Sequence, residues 1–107
     1  MSKKPTHLGD LQQLTMLAVA RLRKQAFGAS IREELLNVSD RDVSVSTVHV
    51  TLVRLEDQGF VRSRRTDPDP IRGGKGKRYF EVTAKGWEAL DASRRAQARM
   101  WEGVEPA

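Results

Sequence analysis

The chain has 107 residues, enough for one domain around one modest core and too few for a catalytic domain joined to a regulatory one. Its formal charge of +5 favours polyanionic partners, because clustered Lys and Arg displace counterions from phosphate chains. The lack of cysteine excludes disulfides, thiolate zinc sites and a cysteine nucleophile; no run approaches the roughly 18 apolar residues of a membrane span, and Met1 to Gly9 lacks the apolar stretch of a signal peptide, so a cytoplasmic location is expected.

After a polar N-terminal stretch, Leu8, Leu11, Leu14, Ala18 and Leu22 recur at three- and four-residue spacing, the stripe of an amphipathic helix ending before Phe27-Gly28. A second helix of roughly two to three turns follows Gly28, with Ile31, Leu35 and Leu36 apolar and Arg32, Glu33 and Glu34 in solvent. Asn37 to Asp42 (NVSDRD) is rich in turn formers and breaks the stripe, so the chain is expected to turn there. Ser44 can cap a third helix, because its hydroxyl can accept a free backbone N–H of the first turn. Val45, Val48, Leu52 and Leu55 form the expected buried stripe of that helix, and Gly59 its C-terminal stop.

Phe60 to Thr66 and Arg78 to Thr83 then alternate apolar with polar side chains, as two half-buried strands of a hairpin do. The prolines and glycines of the intervening DPDPIRGGKGK oppose regular structure and predict a long loop tip. Thr83 can cap a last helix from about Ala84 to about Glu102. The expected fold is mostly α with a small β-hairpin (α+β): a winged helix-turn-helix over residues 1–83 and a C-terminal dimerisation helix over residues 84–107, in one compact unit.

Two short helices joined by a turn and followed at once by a basic hairpin form the arrangement in which the later helix enters a DNA major groove. Opposite its core stripe, the third helix carries Ser46, Val50, Val53, Arg54 and Asp57, flanked by Thr47 and His49. Ser46 and Thr47 are short donors at the end where backbone N–H groups favour phosphate, His49 and Arg54 can reach a phosphate or a base edge, and Val50 can meet a thymine methyl. Between Phe60 and Phe80 seven cations, among them Arg64, Arg72, Lys75 and Lys77, face only Asp67 and Asp69; this segment alone carries a charge equal to the whole chain's +5. Glycines 73, 74 and 76 let that backbone approach a narrow surface such as a minor groove. The expected interface with double-stranded DNA therefore comprises Ser46, Thr47, His49, Val50, Arg54, Arg64, Arg72, Lys75 and Lys77.

On the last helix Trp87, Leu90, Ala98 and Trp101 fall along one side. So much apolar surface on a terminal helix needs cover, and a second copy packed as a two-fold seam is the simplest source of it; packing against the first helix is the alternative. A homodimer of this kind reads a near-palindromic operator with half-sites about 34 Å apart.

The segments LGDLQQLTMLAVARL, FGASIREEL, VSVSTVHVTLVRLEDQGFV and GGKGKRYFEVTAKGWEAL span nearly the whole chain. In them the order and spacing of Leu52, Arg54, Leu55, Glu56, Gly59, Tyr79, Thr83 and Gly86 resemble the PadR family of bacterial transcriptional regulators. The resemblance implies a dimeric winged-helix repressor whose C-terminal helix makes most of the dimer contact, and the single short terminal helix is similar to the family's compact subclass. It further implies a small aromatic effector at the dimer interface as a candidate partner, since some relatives admit flat molecules between tryptophans there. Ala29 and His49 stand where the family usually carries tyrosines that help hold DNA, and Val50 where a proline is common.

Other function classes find less support. His7 and His49 are the only histidines, no cluster has metal-ligand spacing, no cofactor motif is present, and no nucleophile is paired with a base, which argues against an enzyme. Glu33 with Glu34, and Asp67 with Asp69, suit a solvated helix face and a turn. The GGKG at Gly73 to Gly76 lacks the glycine spacing, the Lys-Ser/Thr and the following helix of a phosphate-binding loop. A winged-helix module for protein contacts, with an incidental basic hairpin, is the main alternative; steep loss of affinity with salt distinguishes DNA binding from it.

Overall fold

The apolar stripe of the first segment folds as α1 (Asp10–Leu22), which buries Met16, Ala18 and Val19, together with the hydroxyl side chain of Thr15. The Gln12 side chain accepts the Gly9 backbone N–H at 2.9 Å and so satisfies one donor at the helix entrance. The computed structural model describes residues 8–66 and 76–106. A single 3-10 turn over Arg23–Gln25 leads from α1 into α2 (Gly28–Ser39). Ser30 ties this corner, accepting the Phe27 N–H at 3.0 Å and donating to the Gln25 carbonyl at 2.6 Å.

The second helix runs through Asn37 and Val38, which the sequence assigns to a turn, and ends at Asp40 with φ of 58°. There the Arg41 N–H reaches back to the Leu35 carbonyl and the Asp40 N–H to Leu36, so the left-handed residue closes the helix as a glycine often does. Next come α3 (Val45–Asp57) and, after Gly59 at φ of 82°, the hairpin β1 (Val61–Arg65) and β2 (Arg78–Val82). Gly59 and Phe60 donate to the carbonyls of Glu56 and Leu55 at 2.9 Å each, the paired bonds that turn a helix end sharply.

Strand pairing is antiparallel with Val61 opposite Val82, Ser63 opposite Phe80 and Arg65 opposite Arg78. Side chains alternate across a strand, so Val61, Ser63, Arg65, Arg78, Phe80 and Val82 share one face, while Arg62, Arg64, Tyr79 and Glu81 share the other. Val61 and Phe80 are buried and complete the core with Ile31, Leu35, Val48, Leu52, Leu55 and Phe60. Burying a side chain such as Ile31 or Leu55 is worth about 1.5–3 kcal/mol. The 3-10 corner adds a third edge to the hairpin: Ala26 accepts the Phe80 N–H at 2.9 Å, and Phe27 bridges to Tyr79, their rings meeting edge-on at 5.6 Å.

The last helix, α4 (Ala84–Trp101), starts against this assembly. One hydroxyl makes the joint: Thr83 Oγ1 accepts the Gly86 N–H at 3.0 Å and donates to the Gly59 carbonyl at 2.6 Å. Gly86 is buried, and a Cβ there would stand 2.1 Å from the Phe60 carbonyl oxygen, so only glycine permits this approach. Every residue from Arg94 to Pro106 is exposed, so the distal half of α4 lies outside the core.

Candidate nucleic-acid interface

The third helix owes its position to the turn before it. Arg32 on α2 donates to the Val43 carbonyl at 2.9 Å and lies 3.5 Å from the Asp42 carboxylate, which ties the connecting segment down. Ser44 then caps α3, its Oγ accepting the Thr47 N–H at 3.0 Å, as expected from its position. Val48, Thr51, Leu52 and Leu55 are the buried residues of this helix. Val45, expected in that stripe, is instead 50% exposed. It is the first residue of α3 and overhangs the start of α2 near Gly28 rather than the core. Thr51 takes the inward place, its hydroxyl satisfied by the Thr47 carbonyl at 2.8 Å.

The opposite side of α3 carries Ser46, Thr47, His49, Val50, Val53, Arg54 and Asp57, all exposed. Across from His49 stand Arg65 and Lys77 of the hairpin, and the three side chains line one groove of about 300 Å³ floored by Phe27, Leu52 and Phe80. Arg65 joins these groups although the sequence did not single it out; its signal is the period-2 alternation that places it on the same strand face as Val61 and Ser63.

The hairpin cations are distributed unevenly. Arg62 pairs with Glu81 on the neighbouring strand. Arg64 holds its guanidinium 5.0 Å over the Tyr79 ring, and Lys77 its ammonium 4.1 Å over the Phe27 ring. These two stay exposed while the rings fix their direction. Arg78 turns inward, donating from Nη2 to Glu56 Oε1 at 2.8 Å and from Nε to Ser63 Oγ at 2.9 Å. Among the described residues, two carboxylates from outside the segment, those of Glu56 and Glu81, therefore meet hairpin cations and offset the charge of Arg78 and Arg62. Arg72 and Lys75 lie outside the described residues.

A family model described as the transcriptional regulator PadR-like family matches residues 16–92, the span from the middle of α1 into the middle of α4. The chain belongs to this family. No match exists among the curated proteins. Among solved structures, the PadR-like chain is similar to a PadR family transcriptional regulator from Eggerthella lenta, with 24% identity over 89% of this chain and 82% of that one and a TM-score of 0.68. It is similar to a PadR-like transcription factor from Bacteroides fragilis at 22% identity, 86% and 84% coverage and a TM-score of 0.71. A PadR family regulator from Clostridium difficile R20291 matches at 20% identity, 83% and 91% coverage and a TM-score of 0.65. The expected α+β winged helix is thus the fold of this PadR-like chain.

Of the four residues expected to meet a second copy, Trp87, Ala98 and Trp101 are exposed, with Trp101 at 65%. Leu90, at 8% exposure, packs in the protomer's own core. Leu90 also lines a shallow groove on the surface of the PadR-like domain, together with Trp87 and the exposed Leu17 of α1.

Proposed function

We propose that this chain is a sequence-specific DNA-binding repressor that grips a near-palindromic operator as a homodimer, with residues 1–83 reading the duplex and residues 84–107 pairing the copies. The observation that carries this reading is the shared groove of His49, Arg65 and Lys77, which joins the exposed side of α3 to the cationic hairpin in one surface. In this reading Ser46, Thr47, His49, Val50 and Arg54 meet the major groove, Arg65, Lys77, Arg72 and Lys75 meet the phosphate chain alongside, and Arg64 approaches it from the other face of the hairpin. The exposed run of α4 supports pairing. Met100, Trp101 and Val104 border an open apolar hollow of about 390 Å³, a surface that a monomer leaves wet. Covered by a second copy, that hollow favours a flat aromatic effector.

Selection of bound duplexes from a random pool tests the whole reading. The expected result is an enriched inverted repeat with half-sites about one helical turn apart, bound less tightly as salt rises. A pool without enrichment, or binding indifferent to salt, overturns it in favour of a module for protein contacts. Repression itself is read from a reporter placed behind the enriched site, whose output falls when the protein is supplied.

A further inference from the structure

Glu56 presents an electrostatic problem for a DNA-binding surface. It lies in the last turn of α3, on the helix whose exposed side is proposed to meet phosphate, where a carboxylate repels the ligand. Its surroundings explain its use. Glu56 Oε2 accepts from Ser63 Oγ at 2.8 Å, Glu56 Oε1 accepts from Arg78 Nη2 at 2.8 Å, and Arg78 Nε donates to Ser63 Oγ at 2.9 Å. The three side chains close a triangle whose corners belong to α3, β1 and β2. Glu56 and Arg78 are each about one-third exposed, and the Arg78 guanidinium also lies 5.6 Å from the Phe80 ring centroid, on the hairpin face that continues into the core.

Apart from this triangle, the described residues join α3 and the hairpin directly through the short turn at Gln58 to Phe60 and the apolar packing of Val61 and Phe80, while the Phe80 bond to Ala26 and the Phe27–Tyr79 bridge tie the hairpin to the 3-10 corner and not to α3. Such packing resists separation but is non-directional, so it does not alone fix the angle at which the distal end of the hairpin stands to the helix. A planar guanidinium bound at two of its nitrogens does have direction. We propose that Glu56 is a positioning residue: through Arg78 and Ser63 it locks the hairpin to the reading helix at the angle that lets both meet one duplex. This rests on the DNA-binding reading above. It makes a carboxylate on the DNA-facing domain a net gain for affinity, against its charge.

That opposition of signs supplies the test. Glu56→Gln and Asp57→Asn each raise the formal charge from +5 to +6 on adjacent residues of α3, but only Glu56 belongs to the triangle. Duplex affinity of each variant is measured against the selected operator, at a temperature where thermal melts show all proteins folded. Amide exchange in β1 and β2 is followed without DNA. Asp57→Asn is expected to bind tighter than the parent with unchanged exchange. Glu56→Gln is expected to bind about tenfold weaker, the scale of coupling inside one hydrogen-bonded charge network, with faster exchange in the hairpin. Arg78→Gln should do the same, and the double variant should be no worse than either single one. If Glu56→Gln binds more tightly, as Asp57→Asn does, or leaves hairpin exchange unchanged, the positioning role is wrong. If the parent protein binds no duplex, the DNA-binding reading fails first, and the exchange measurement still decides whether Glu56 holds the hairpin.

Discussion

At the scale of single residues, the clearest constraint is Gly86. Because a Cβ there would meet the Phe60 carbonyl at 2.1 Å and Val82 Cγ1 at 2.8 Å, Gly86→Ala must push α4 away from the strand base. Overpacking of this kind costs about 1–3 kcal/mol, and backbone on one side of the clash puts this site at the upper end. A lowered midpoint in chemical denaturation checks it. In the proposed reading, Arg54 and Lys77 separate the two kinds of DNA contact. Arg54→Ala is expected to relax preference at one operator position by about 1–3 kcal/mol, whereas Lys77→Ala weakens all duplexes alike and reduces the salt slope by about one. Titrations with operator and scrambled duplex at several salt concentrations distinguish them. The exposed positions of α3 were legible from helical phase alone, but the partners of the hairpin cations were not. Arg78 lies 22 residues from Glu56, and counting charge along a contiguous segment cannot see a carboxylate brought from another element.

At the scale of elements, local chemistry decides ends when one residue type has a unique role and fails when several compete. Ser44 caps α3 because it is a hydroxyl placed before the first turn and three residues from the donor it satisfies. Ser44→Ala is therefore expected to cost about 1 kcal/mol, read as a lower thermal midpoint. The end of α2 shows the opposite case. Asn37, Ser39, Asp40 and Asp42 all form turns readily, and the helix stops at Asp40 only because that residue adopts the left-handed conformation while the Ser39 hydroxyl bonds back to Leu35. Nothing in composition selects one of four. Val45 departs from its expected place for a different reason. Helical phase says which side chains share a side, and not which neighbour covers them: the start of α3 overhangs, so its first apolar residue finds no cover in the core.

At the scale of the molecule, the proposed dimer follows from what α4 leaves uncovered. Met100 and Trp101 are 77% and 65% exposed on a helix whose buried residues, Gly86 and Leu90, both lie in its first half. Trp101→Ala is expected to shift sedimentation at micromolar concentration toward monomer, with operator affinity falling in parallel and recovering at higher protein concentration, as mass action requires. A parent protein that sediments as a monomer throughout would remove the two-site geometry.

The Thr83 hydroxyl, held at once by the Gly59 carbonyl and the Gly86 amide, makes an elbow between the end of α3 and the start of α4. In the proposed two-fold assembly seamed along α4, that elbow would couple the shafts to the fingertips, so a change in how the shafts cross would alter the span between half-sites.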